Sequence, residues 1–190
     1  LPPDAAEHYP AYFGGGDVDN DGMYAEQAAA FLAQADPGAR QPFALLVCLV
    51  NPHDIMGYPK YTKQPSYSDT PPYEGKHYYR DAEPGCFELG IELPPTFDEP
   101  KTGNYKPKVQ AQSTGFWSLP QVLGPLEEVD GPLRYVNFYA YLHIESDRHV
   151  GTILDALEAN PGLYDNTVVL RLADHGEMGL AHGGMREKAY

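Results

Sequence analysis

The sequence predicts an α/β fold in which a mostly parallel sheet is flanked by helices. Two observations carry that expectation. Residues 43–50 and 168–173 are unbroken apolar runs with β-branched members, the composition of strands buried on both faces of a parallel sheet. Between them, from Pro132 to about Ala159, apolar residues recur at helical steps. Strand, helix and strand in that order point to a layered α/β arrangement.

Taken in order, residues 1–18 are rich in Pro, Gly and Tyr and read as loop. Asp19-Asn20-Asp21 offers helix N-caps, and Met23, Ala28, Phe31 and Leu32 then share one helical face as far as Asp36-Pro37-Gly38. The first apolar run follows and ends at the turn signal Asn51-Pro52. Residues 51–131 scatter Pro, Gly, Tyr and Lys without periodicity. A structureless loop of that length is rare in a compact domain, so about 54–131 reads as an irregular excursion with short elements that shapes a pocket mouth. Its tyrosines read as surface packing, with substrate contact as the alternative. In the long helix, Leu133, Val136, Ala140, Ile144, Val150, Leu154 and Leu157 form the apolar stripe, and Asn160-Pro161-Gly162 stops it. Asn166-Thr167 leads into the second run. No internal repeat is visible, so residues 1–190 read as one domain or part of one.

Composition narrows the function. The chain is 42% hydrophobic and 21% charged, enough apolar content for a packed core. Its net charge of -14 argues against a nucleic-acid partner, because phosphate contacts need clustered Lys and Arg. An anionic small molecule remains compatible, since a few local cations and a metal dominate the field of a cleft. No apolar run approaches the roughly 20 residues of a membrane helix, and the opening Leu-Pro-Pro-Asp does not read as a signal peptide. The expectation is a soluble protein, cytoplasmic or exported. Cys48 and Cys86 form no Cys-x-x-Cys pair, which excludes a zinc ribbon or a thioredoxin motif; Cys48 falls inside the apolar run and reads as buried. A chain that starts at Leu1 and stops at Tyr190, just after a motif-rich segment, reads as an internal fragment.

The chemistry sits at the ends of the two apolar runs, where open α/β sheets place their ligands. The first run leads into Asn51-Pro52-His53-Asp54 and the second into Asp174-His175-Gly176-Glu177. Asp174 offers a hard carboxylate and His175 an imidazole nitrogen, two donors for one divalent cation. His182-Gly183-Gly184, Arg186 and Lys188 follow at once. Cations so close to a metal require a shared anion, and a sulfate or phosphate ester meets that requirement. An isolated Asp-His-Gly is more often a turn cap; the ordered succession of run, Asp-His-Gly-Glu, His-Gly and Lys favours a site. His53 can protonate a leaving oxygen or bind the anion as a cation, while Asp54 reads as a cap of the turn.

These residues resemble the sulfatases of the alkaline-phosphatase superfamily. The similarity lies in the apolar run followed by Asp174-His175-Gly176, then His182-Gly183 and Lys188, and in Asn51-Pro52-His53-Asp54. The helix with Asp147, Val150-Gly151, Ile153-Leu154 and Leu157-Glu158 is similar too. The resemblance covers about residues 40–60 and 130–190. It implies an alkaline-phosphatase-like layered fold, with residues 1–190 part of a single catalytic domain, and hydrolysis of a small-molecule or carbohydrate sulfate ester. It further implies Asp174 and His175 as metal ligands, Lys188 on the ester oxygens, His53 as catalytic and substrate-binding, and His182 as substrate-binding or supporting. Calcium ranks first as the cation by resemblance; the imidazole donor keeps manganese, zinc and iron open.

Two departures stand out. The step from Asp174 to Lys188 is one residue longer than in several family members. The family's nucleophile is a formylglycine made from the Cys of Cys-x-Pro-x-Arg, whereas Cys48 precedes Leu49-Val50-Asn51 and Cys86 precedes Phe87-Glu88-Leu89. The nucleophile is therefore expected upstream, and the chain alone is expected to be inactive. Two other readings stay open: a phosphodiesterase or phosphonate monoester hydrolase of the same superfamily, and a non-catalytic remnant or binding module.

Overall fold

In the computed structural model, residues 19–58, 85–103, 105–119, 122–126 and 131–188 are described. The loop expected over residues 1–18 and much of the excursion at 54–131 lie outside the described residues. The chain divides into two units, Leu1–Pro52 with His143–Leu172, and His53–Leu142 with Ala173–Tyr190.

In the first unit, helix α1 (Asn20–Gln34) starts where the sequence places its cap: the Asp19 side chain accepts a hydrogen bond from Gly22 N at 2.8 Å. Ala25, Ala28 and Leu32 are its buried apolar residues, whereas Phe31 stays 44% exposed and meets Phe43 edge-on. Leu32 packs with Leu157 and Leu163 into a small core. Leu157 comes from the later half of helix α3 (Gly131–Glu158), and Leu163 from the short α4 (Pro161–Tyr164), which carries Pro at its start, where a missing N–H costs nothing. Asn160 donates from its side-chain amide to the Leu32 and Ala35 carbonyls at 3.4 and 3.1 Å, reinforcing the end of α1, where Leu32 O also accepts from Ala35 N. Asp21 is buried and accepts from Val50 N and Asn51 N at 2.6 and 2.9 Å.

The predicted parallel sheet is not found among the described residues. Among the described residues no strand forms, and the expected α/β class gives way to a helical structure. Leu46, Val168, Leu170 and Leu172 are 81%, 85%, 78% and 87% exposed. An apolar, β-branched run states what a segment gains by burial; it becomes a strand only when a neighbouring backbone completes its ladder. No described segment supplies that neighbour. At residues 50 and 51 the backbone N–H groups go to the Asp21 carboxylate instead. Cys48, expected inside a buried strand, is exposed for the same reason.

The second unit has the larger core. It is built on residues 131–142 of α3, with the 3-10 helix η1 (His53–Gly57) and α2 (Lys108–Trp117) as its other helices. Tyr135, Phe138 and Leu142 are fully buried and fall at helical spacing on one face. Ile55, Tyr58, Cys86, Val136 and Leu180 complete the cluster. Burial of each large side chain contributes about 2 kcal/mol. The Tyr58 ring lies within 6.1 Å of Phe87, Tyr135 and Phe138, and the Arg134 guanidinium lies 4.1 Å over Phe87. Of the predicted stripe, Val136 joins this core and Leu157 the smaller one, whereas Leu133 and Ile144 are exposed; aromatic residues do much of the burying. Tyrosine has a polar tip and an apolar body, so an aliphatic stripe drawn from the sequence misses it. Asn137 accepts from Ile91 N at 3.0 Å and donates to Ile91 O at 2.9 Å, which fastens an irregular segment to the helix.

Candidate active site

All the residues singled out in the sequence, His53, Asp174, His175, His182 and Lys188, fall in the second unit. His53 opens η1, one residue past the cis Asn51–Pro52 bond, and its Nδ1 lies 3.2 Å from the carboxylate of buried Asp54. The His53 ring centroid is 6.4 Å from that of His175. Residues from the two motifs, far apart in the chain, thus meet.

Local hydrogen bonds orient Asp174 and His175. Asp174 Oδ1 accepts from His175 N at 3.0 Å. His175 Nδ1 lies 3.0 Å from the Gly176 carbonyl, an acceptor, so Nδ1 carries a proton. Nε2 stands 3.5 Å from Asp174 Oδ2. A carboxylate oxygen and an imidazole nitrogen this close can share either a proton or one cation. Ligands at about 2.0–2.2 Å from one ion lie roughly 3–3.5 Å from each other, so the pair fits one edge of a coordination shell. The Asp174 side chain is 87% exposed and open to a ligand. The pair does not make a complete site: among the described residues no group of three or more His, Cys, Asp or Glu is arranged to hold a metal. Calcium with six to eight oxygen ligands would need most of its shell from elsewhere.

Glu177, three residues on from Asp174, is spent differently. Its carboxylate accepts from Tyr135 Oη at 2.6 Å, from Glu187 N at 2.7 Å and from Gly179 N. Burial pushes its carboxyl up against the lowering effect of those donors. Burial and the neighbouring Glu177 charge likewise push the Tyr135 phenol well above its usual range. Backbone bonds Met178 N to Glu187 O and Leu180 N to Met185 O close the same loop. Arg186 donates to Gly124 O at 2.9 Å and is 3% exposed, so it anchors structure rather than a ligand. Lys188 follows, with Nζ 3.4 Å from the Glu187 carboxylate and its side chain 34% exposed.

His182 is held by residues that the sequence did not mark. Its backbone N donates to Thr96 Oγ1, and its Nδ1 lies 3.0 Å from Glu99 Oε2. Lys106 pairs with the same carboxylate at 3.0 Å. Among the described residues no hydrogen bond or ion pair joins His182 or Lys188 to Asp174 or His175. The structure brings His53 and His175 together and ties His182 to the 96–106 segment.

The family model for sulfatases matches residues 3–190. The chain belongs to the sulfatase family. Comparison with curated proteins gives no match, and comparison with solved structures gives none. No helix among those residues is long and apolar enough to cross a membrane.

Proposed function

We propose that this chain carries the metal and oxyanion corner of a sulfate-monoester hydrolase. The observation that supports it most is the Asp174–His175 pair, with Oδ2 and Nε2 3.5 Å apart and the Asp174 side chain open to solvent, and the His53 ring 6.4 Å from His175. Asp174 and His175 are read as ligands of a divalent cation, calcium first and manganese, zinc or iron next. Such an ion supplies Lewis-acid stabilisation of an ester oxygen. Lys188 binds and neutralises the ester oxygens, and His53 binds the ester and delivers a proton toward the leaving oxygen. His182 binds the same anion. The substrate class is a small-molecule or carbohydrate sulfate ester.

Neither cysteine stands in the nucleophile motif, and two donors do not fill a metal shell. The isolated chain is therefore expected to turn over no ester. Manganese tests the corner without turnover, because even weak binding broadens nearby nuclear resonances. The His175 imidazole signals should broaden first in the wild-type chain and escape broadening in Asp174→Ala. Equal broadening in the two proteins would overturn the ligand assignment. Release of a phenol from an aryl sulfate by the isolated chain would overturn its inactivity.

A further inference from the structure

Glu187 and Lys188 are neighbours in the chain and unequal in exposure. The Glu187 side chain is 5% exposed and that of Lys188 34%, with the carboxylate oxygen Oε2 and the ammonium Nζ 3.4 Å apart. A ligand that reaches the ammonium from solvent therefore meets it with a buried anion close by.

The main chain keeps that anion in place. Glu187 occupies left-handed backbone at φ 69°, a region that residues with a side chain seldom adopt. Strain of this kind persists only where the surroundings over-determine it. Two bonds to the motif loop do so: Glu187 N donates to Glu177 Oε1 at 2.7 Å, and Glu187 O accepts from Met178 N at 3.2 Å. Neither bond uses the Glu187 carboxylate.

The second charge changes what the lysine attracts. An ammonium draws in an anion in proportion to the anion's charge, and a fixed carboxylate beside it subtracts a repulsion proportional to the same charge. A monoanion meets that repulsion once and a dianion twice. Sulfate monoesters carry one negative charge. Phosphate monoesters have the same tetrahedral shape, but they lose a second proton at about pH 6 and are dianions above it. Charge, rather than shape, is what separates the two.

We propose that Glu187 is a specificity-determining residue, whose charge beside Lys188 disfavours dianionic phosphate monoesters relative to monoanionic sulfate monoesters. An anion held by Nζ lies about 6 Å from the carboxylate, where each unit of ligand charge changes affinity roughly threefold at the dielectric of water. The proposal rests on the reading of Lys188 as the group that binds the ester oxygens.

Methyl sulfate and methyl phosphate, each titrated into the full chain at about pH 8 with the Lys188 side-chain resonances as readout, test it. Glu187→Gln keeps the size of the side chain and removes its charge. It should tighten methyl sulfate roughly threefold and methyl phosphate roughly tenfold, moving selectivity toward phosphate. Glu187→Ala removes the same charge with a smaller side chain and should move selectivity the same way, which separates charge from packing. A selectivity that stays put or moves toward sulfate in either folded variant would overturn the proposal and leave the reading of Lys188 standing. Esters that leave the Lys188 signals unmoved in every protein would overturn both.

Discussion

Asp174 and Glu177 stand three residues apart in one motif, yet their carboxylates live in opposite surroundings. Asp174 is 87% exposed at its side chain, and its fixed partners are groups of His175. Glu177 lies in the protein, with Tyr135, Gly179 and Glu187 all donating to it. A buried carboxylate with three donors already on it has little left to offer a ligand; one facing solvent keeps that capacity. The difference divides the motif into a part that can bind and a part that holds the binding part in place. It also explains why a search for paired carboxylates would mislead here, since residue type is the same and coordination is not.

The comparison breaks first at Glu177. Glu177→Ala strips the acceptor from the Tyr135 hydroxyl and from two backbone N–H groups, and should lower stability by about 3 kcal/mol in urea unfolding. A loss below about 0.5 kcal/mol would show that the loop does not depend on it. Tyr135→Phe removes one of the three donors and leaves the rest, so about 1–2 kcal/mol is expected by the same measurement. Asp174→Ala and His175→Ala should each stay within about 0.5 kcal/mol of the wild type, because neither residue is buried, while losing manganese contact at the partner side chain. A large loss of stability there would erase the contrast with Glu177.

The smallest effect concerns acid. The Glu99 carboxyl is held below its ordinary value of 4.5, with the His182 and Lys106 hydrogen bonds as the causes. The unfolded chain therefore binds more protons than the folded one below pH 4.5, and stability falls as pH drops through the folded value. The contribution is fully present above that window. Glu99→Gln should show a shallower acid loss below pH 4.5 in thermal melts, and identical profiles would rule out the pairing in solution.

What could be read beforehand follows the range of the interactions involved. The cap at Asp19 and the start and stop of α3 depend on neighbours a few residues away, and both were legible. Asp174 and His175 could be singled out as a candidate pair because they are adjacent and follow an apolar run in a family-like order. The sheet was expected and does not form among the described residues, since a ladder is a property of two segments and the sequence shows each alone. The hold on His182 was hidden for a similar reason: Glu99 lies 83 residues earlier, in a stretch with no periodicity, and a lone Glu carries no mark of its eventual partner. Tyr135 and Phe138 escaped because an aliphatic stripe was expected where aromatic rings do the packing.

The bare apolar runs have a colloidal consequence. With a net charge of -14, copies of the chain repel one another at low ionic strength, when the Debye length is long. At 0.15 M salt that length shrinks to about 8 Å, and the repulsion fades while Val168, Leu170 and Leu172 remain as sticky as before. Dilute buffer, rather than physiological salt, is the medium in which this chain keeps itself dispersed.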